Sequence, residues 1–308
     1  MGAEKLHTEK LSTEQANADH SALDRYTTPD LVSAFVDDQY LAVQAVQKAM
    51  SAITQAVDAA VPRIQAGGRL IYVGAGTSGR LGLLDSVELN PTFSWESSRA
   101  VACMAGGMKA VWCAVEGAED DAAQGEIDLL NTNPNANDVV FLIAASGRTP
   151  YVLAGLDAAK QCGALTVAIV NNANSPIGNA ADIAVVLETG AEMISGSTRL
   201  KAGTSQKIAL NTLSSAIMVR LNKVYGNLMV DLRATNAKLV RRAESLTMQI
   251  TGASEATART TLQACNYHIK TAVVALLSHT SPAEASQRLE QTAGSIRDAI
   301  QLPSPVQR

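Results

Sequence analysis

An α/β fold built on a parallel sheet follows from three features of this 308-residue chain. Five short β-rich runs lie between residues 69 and 187, and most of them are separated by helical stretches. Two glycine- and hydroxyl-rich loops directly follow such runs. Beyond Thr198 the pattern is helical almost throughout. Strands alternating with helices point to a parallel sheet covered on both faces, because each parallel crossover must be long enough to hold a helix.

Residues 1–30 are polar and irregular and end in Tyr26-Thr27-Thr28-Pro29-Asp30, where a proline and a capping residue announce a helix. Apolar residues then recur at helical spacing to about Ile64, which predicts two helices. The expected strands are 69–73, 100–104, 139–144, 165–170 and 183–187. In such a sheet the ligand crevice lies at the C-terminal strand ends. Residues 202–225 read as one long buried helix, with Leu210, Leu213, Ile217 and Leu221 among its apolar positions. A small helical bundle is expected over 253–300, interrupted near Ser278 to Pro282. These patterns divide the chain into an N-terminal segment (1–30), an α/β domain (31–250) and a small C-terminal helical domain (251–308).

Composition removes several function classes. Hydrophobic residues make up 47% of the chain, which supplies a core and excludes wholesale disorder. Aromatics are only 4%, too few for base-stacking platforms. With 25 basic and 29 acidic residues the net charge is −4, so neither nucleic acid nor an anionic membrane is an expected partner. The N-terminus has no apolar signal core, and no run approaches a membrane span, so a cytoplasmic location is expected. Cys103, Cys113, Cys162 and Cys265 are scattered in apolar surroundings and are expected to be buried thiols, not metal ligands.

Three loops share one character. The first, Gly74-Ala75-Gly76-Thr77-Ser78-Gly79-Arg80, follows a strand and opens a helix. Its glycines let backbone approach an anion, and the helix amides point at it. Gly76, Thr77, Ser78 and Gly79 are therefore candidate ligand contacts. The Gly-x-Gly-x-x-Gly spacing also matches the dinucleotide fingerprint, which expects an acid at the end of the next strand. That strand ends Cys103-Met104-Ala105-Gly106, without a carboxylate, so the nicotinamide reading weakens.

The second loop, Ala145-Ser146-Gly147-Arg148-Thr149-Pro150, places Ser146, Gly147, Arg148 and Thr149 before a helix with proline in its first turn, a plausible phosphate cradle. The third runs from Ser195 to Thr204 and offers Ser197, Thr198 and Lys201. Three such loops in one α/β domain favour a phosphorylated ligand over three merely structural turns.

Carboxylates supply the remaining candidates. Glu88 lies near the end of the helix after the first loop, where negative charge opposes the macrodipole. Either a solvated glutamate or a further duty accounts for it. Glu116, Glu119, Asp120 and Asp121 form an acidic cluster that a helix start would explain, and physical reasoning does not choose among the four.

Read together, these residues carry a resemblance. Gly67-Gly68-Arg69-Leu70-Ile71-Tyr72-Val73-Gly74-Ala75-Gly76-Thr77-Ser78-Gly79-Arg80-Leu81-Gly82 resembles the signature of the N-acetylmuramic acid 6-phosphate etherases, members of the sugar isomerase (SIS) domain superfamily. The likeness starts at Leu11-Ser12-Thr13-Glu14-Gln15. It continues through Glu116-Gly117-Ala118-Glu119-Asp120, the second and third loops, and Lys223-Val224-Tyr225-Gly226-Asn227-Leu228-Met229-Val230-Asp231. Where the family usually reads Asp-Ala-Ser-Glu-Cys-Pro-Pro-Thr-Phe-Gly, this chain has Asp85-Ser86-Val87-Glu88-Leu89-Asn90-Pro91-Thr92-Phe93-Ser94. The glutamate is kept and its neighbours differ.

The resemblance implies a flavodoxin-like SIS sheet of five parallel strands flanked by helices, with the small C-terminal helical domain appended. It implies a substrate-site role for residues 1–30, a homodimer with sites near the subunit interface, and no metal or organic cofactor. It implies cleavage of N-acetylmuramic acid 6-phosphate to N-acetylglucosamine 6-phosphate and D-lactate, in cell-wall recycling. The family's acid–base glutamates fall on Glu88 and Glu119.

Two carboxyl groups suit that reaction. The C1 aldehyde of the open-chain sugar acidifies the C2 proton; lactate leaves from C3 and water then adds there, so one group takes a proton while another gives one. A glutamate donor must be raised above its usual value of about 4.3. Glu88 is assigned as acid and Glu119 as base, with the reverse also open. Phosphate is assigned to Ser146, Gly147 and Thr149, sugar or phosphate to Thr77 and Ser78, and further contacts to Ser197, Thr198 and Lys201. The competing expectations are a sugar-phosphate isomerase and a non-catalytic sugar-phosphate sensor of the same superfamily. Carboxylates at both family positions favour catalysis.

Overall fold

The computed structural model describes residues 11–231 and 237–303. The first ten residues, on which the expectation of no signal core rests, and the last five of the chain lie outside the described residues. Three 3-10 turns (Ser12–Glu14, Ala18–His20 and Leu23–Arg25) lead to α1 (Thr28–Asp38), whose N-cap Thr27 accepts from Asp30 N–H. Helices α2 (Tyr40–Lys48) and α3 (Met50–Gln65) follow, giving three helices where two were expected. At the breaks, Gln39 (φ −68°, ψ −20°) and Ala49 (φ −86°, ψ 1°) stay close to helical dihedrals. The apolar spacing therefore runs on through both breaks while the hydrogen-bond ladder does not.

The chain then alternates: β1 (Leu70–Gly74), α4 (Gly76–Phe93), β2 (Ala100–Met104), α5 (Lys109–Trp112), α6 (Ala122–Leu130), β3 (Val139–Ala144), α7 (Pro150–Gln161), β4 (Leu165–Val170), α8 (Pro176–Ala180) and β5 (Ile183–Val186). All four strand pairings are parallel, in the order β2-β1-β3-β4-β5. This is the flavodoxin-like order, and the chain reverses direction across the sheet between β1 and β3. Three strands coincide with the expected runs; β1 is displaced by one residue and β5 ends one residue early.

Both sheet faces are buried, which is why the strands read as unbroken apolar runs and not as alternation. Ile71, Val73, Val140 and Leu142 form a core with Leu129, Tyr151 and Leu156 of α6 and α7. On the other face Tyr72 and Phe141 stack with ring centroids 5.3 Å apart, and α4 lies so close that a Cβ on Gly82 would be 2.9 Å from Ile143 Cδ1.

Helix α9 (Lys201–Arg220) stops short of the expected end. Asn222 takes a left-handed conformation (φ 61°), and Lys223 N–H closes on Met218 O at 3.0 Å. Residues 224 and 225 instead form β6 (Val224–Tyr225), antiparallel to β7 (Leu228–Met229). Helices α10 (Ala237–Thr251), α11 (Glu255–Ala264), α12 (Ile269–Ser278), α13 (Pro282–Gln291) and α14 (Ile296–Gln301) complete the chain. The expected break near Ser278 is present: His279 is left-handed, and Ser281 caps α13 ahead of Pro282.

Two compact units result. Of the described residues, one comprises those up to Ser86 with Ser98–Ser214, and the other comprises Val87–Ser97 with those from Ser215 onward. The second has its own core, including Leu246, Leu262, Ile269, Val273 and Leu289. Among the described residues no helix is long and apolar enough to cross a membrane. Cys103 and Cys265 are buried, but Cys113 is exposed and Cys162 half-buried, so the expectation of four buried thiols holds for two. Cys113 ends the four-residue α5, too short to cover its own apolar side.

Candidate active site

The reversal between β1 and β3 sends the two following helices to opposite faces, the arrangement in which an open parallel sheet takes a ligand at the loops after these strands. Those are the first and second sequence-predicted loops. In the first, Gly76 is exposed with φ 54° and open space where a Cβ would be. Gly79 has the opposite character, since its Cβ would lie 2.7 Å from Gly74 O. One glycine thus opens the loop to a ligand, and the other permits helix–strand contact. Thr77 is half-buried, and Ser78 is buried with its Oγ donating to Gln206 Oε1 at 2.8 Å.

In the second loop Gly147 is left-handed (φ 63°), and a Cβ there would sit 2.2 Å from Ser175 Oγ. Ser146 Oγ accepts from Arg148 N–H at 3.2 Å. Thr149 is the N-cap residue of α7, yet its hydroxyl makes no capping bond. Ser146 and Thr149 are half-buried and Arg148 is exposed, all at the start of a twelve-residue helix. Amides, hydroxyls and a dipole end converging there suit a phosphate.

The acidic cluster resolves by position. Asp121 Oδ1 accepts from Gln124 N–H at 2.9 Å and caps α6, the role a helix start asks of it. Glu119 and Asp120 lie on a 3-10 turn entered through left-handed Gly117. Of the four acids, Glu116 and Glu119 line a cleft of about 360 Å³ with Gly76 and Arg80. The structure therefore brings the first loop and Glu119 together. Glu88 is exposed, on the part of α4 that belongs to the second compact unit.

The third loop is committed inward. Lys201 is buried, and its Nζ meets Asp38 Oδ1 at 2.7 Å. The N–H groups of Lys201 and Ala202 donate to the carboxylate of buried Glu192 at 3.1 and 2.9 Å. Burial pushes the Glu192 carboxyl up, opposed by those two bonds and by the Lys201 charge. Ser197 and Thr198 are half-buried on the loop before α9.

Sequence reasoning missed Glu192, and it missed Asn172. The Asn172 amide is buried at the end of β4 with all four hydrogen-bonding positions used. Its Oδ1 accepts from Ser12 N–H (2.9 Å) and Ser12 Oγ (2.8 Å), and its Nδ2 donates to Thr13 Oγ1 (3.0 Å) and Ala145 O (2.9 Å). This side chain ties the N-terminal segment to the residue preceding Ser146. Tandem asparagines after an apolar strand were the available signal. Asp85 is a further buried carboxyl on α4, held by Tyr72 Oη (2.9 Å) and Ser214 Oγ (3.2 Å); burial pushes it up despite these bonds.

Residues 52–160 match the family described as the glucokinase regulatory protein N-terminal SIS domain, and residues 115–216 match the SIS domain. Over 293 residues the chain is 54% identical to an N-acetylmuramic acid 6-phosphate etherase of Deinococcus radiodurans, covering 95% of this chain and 96% of that one. The chain belongs to the N-acetylmuramic acid 6-phosphate etherase family. An etherase of the family from Mycolicibacterium smegmatis is 47% identical over 290 residues, 94% of this chain and 97% of the relative. The two domain matches reach only residues 52–216, whereas the etherase-family matches extend over nearly the whole chain. Among solved structures, a Bacteroides fragilis protein described as a phosphosugar isomerase involved in capsule formation superposes with a TM-score of 0.50 at 20% identity. It covers 65% of this chain and 95% of its own, a likeness of fold.

Proposed function

We propose that this protein cleaves the lactyl ether of N-acetylmuramic acid 6-phosphate, releasing D-lactate and N-acetylglucosamine 6-phosphate in amino-sugar recycling from the cell wall. The observation that carries the proposal is the 54% identity, along 95% of the chain, to a relative named for this activity. Glu119 beside Gly76 in one cleft at the strand ends adds a base next to a ligand loop.

In this reading the phosphate rests at the start of α7 on Ser146, Gly147 and Thr149, with Arg148 at its rim. The sugar lies toward Gly76 and Thr77, while Ser78 and Gly79 set the loop's shape. Phosphate binding energy holds the open-chain aldehyde in place. Glu119 takes the C2 proton, and the electron pair forms the C2–C3 double bond as the C3–O bond breaks. Glu88 gives the departing lactate its proton. Water then adds its oxygen to C3, and a proton returns to C2. Ser197, Thr198 and Lys201 support the wall around this site. A homodimer in the cytoplasm belongs to the same reading.

The test is D-lactate release from N-acetylmuramic acid 6-phosphate in deuterium oxide, by wild type, Glu88→Ala and Glu119→Ala. Wild type should release lactate and place deuterium at C2 of the product. Glu119→Ala should lose both C2 exchange and lactate, and Glu88→Ala should keep C2 exchange while losing lactate. A folded wild type that binds sugar phosphates and releases no lactate overturns the proposal in favour of an isomerase or a sensor.

A further inference from the structure

The substrate proposed above carries two anionic groups, a phosphate and the carboxylate of its lactyl arm. The start of α7 suits the first. The second is carried on the lactyl arm, whose ether oxygen is bonded to C3, next to the C2 whose proton Glu119 takes, so with Glu119 at C2 the arm lies at the cleft that Glu116 and Glu119 line. A carboxylate placed between two others is repelled unless a cation sits with it.

We propose that Arg80 binds the lactyl carboxylate and selects for it, an inference that rests on the etherase reading. Among the described residues that line this cleft, Arg80 is the only cation. Its guanidinium is anchored from one side: Nη2 donates to Ala110 O at 2.6 Å and Nε to Val111 O at 3.3 Å, closing the C-terminal end of α5. Nη1 has no hydrogen-bond partner among the described residues. The group is thus fixed in orientation with a donor edge still to be used, the arrangement that recognises a carboxylate at low entropic cost.

The remaining walls fit the rest of the lactyl arm. Ala105, Ala110, Ala114, Val115 and Ala118 present small apolar side chains that accommodate a methyl group and offer a carboxylate no other charge-assisted donor. Phosphate and lactyl carboxylate then have separate receptors, the second loop and Arg80. N-acetylglucosamine 6-phosphate, which has no lactyl group, uses only the first.

The experiment compares the binding of two ligands. Dissociation constants for N-acetylmuramic acid 6-phosphate and N-acetylglucosamine 6-phosphate are measured by calorimetry on proteins carrying Glu119→Gln to stop turnover, with Arg80 intact, Arg80→Lys or Arg80→Met. Arg80→Met should weaken the muramic ligand by about 10- to 100-fold, the range of a charge-assisted hydrogen bond, and move the glucosamine ligand by less than about threefold. Arg80→Lys should fall between. Equal weakening of both ligands would mean that Arg80 only holds α5, and would overturn the proposal. The lactyl amide of the muramic ligand, tested on protein with Arg80 intact, avoids any folding defect: it should bind about 10-fold or more weaker than the acid, and parity sinks the proposal. Absence of lactate release by wild type would instead reject the etherase reading, whatever the binding ratio.

Discussion

A Cβ on Gly79 would lie 2.7 Å from the carbonyl oxygen of Gly74, so the first turn of α4 and the last residue of β1 touch backbone to backbone. That contact fixes where the opening amides of α4 point. Gly79→Ala forces the helix away from the strand and is expected to cost about 1–3 kcal/mol in urea unfolding. Lactate release should fall as well, because the Gly76 loop moves with the helix.

Gly147 is constrained twice, by a left-handed φ of 63° and by Ser175 Oγ, which would stand 2.2 Å from any Cβ added there. Gly147→Ala distorts the loop assigned to phosphate. The expected outcome is a KM for N-acetylmuramic acid 6-phosphate raised at least tenfold, with inorganic phosphate losing its power to compete. An unchanged KM would place the phosphate elsewhere.

Lys201 and Asp38 form a buried pair in which Asp38 Oδ2 has no hydrogen-bond partner among the described residues. Lys201→Met leaves that carboxylate uncompensated and is expected to destabilise by about 3–5 kcal/mol. Adding Asp38→Leu should recover much of the loss. If Lys201 instead contacts substrate, the single variant will keep its melting temperature and lose affinity.

Asp138 is pushed up by burial, but bonds from the Arg69 guanidinium and from the Asn135 and Arg69 amides, with the Arg69 charge, outweigh that and hold it below the usual range. A carboxyl depressed by folding stabilises fully above its unfolded pKa of about 3.9 and loses that contribution as pH falls toward the folded value. Asp138→Asn should therefore be less stable than wild type at pH 7, and the gap should narrow below about pH 4. Denaturant midpoints across that range test the sign.

Asp85 runs the other way. Burial holds its carboxyl above the usual range, so the folded state favours the protonated form. Its contribution is greatest below about pH 3.9 and declines as pH rises toward the folded value. In Asp85→Asn the decline should be absent, which the same denaturant series will detect as a flatter stability profile above pH 4.

The strands and the two loops that follow β1 and β3 were legible because each depends on short-range pattern. Buried parallel strands are apolar runs, and a loop at a strand end announces itself by glycine and hydroxyls. The breaks at Gln39 and Ala49 were not legible, since helical periodicity persists where the ladder fails. The four clustered acids illustrate the same divide. Asp121 as a cap follows from local rules, whereas the cleft position of Glu119 depends on how α5 and the Gly117 turn return to Gly76. Glu192 and Asn172 were missed for this reason: the tandem asparagines mark a strand end, but neither they nor a lone glutamate show that the side chain is buried and bonded, which for Asn172 depends on partners 27 to 160 residues away.

The four-bonded Asn172 gives the segment around Ser12 the kinetics of an interior element. The Ser12 amide proton is held by a buried side chain two residues beyond β4, so its exchange with solvent is expected to require that this junction open. Near the start of the chain, where exchange within seconds is the rule, Ser12 should keep its hydrogen nearly as long as β4 does.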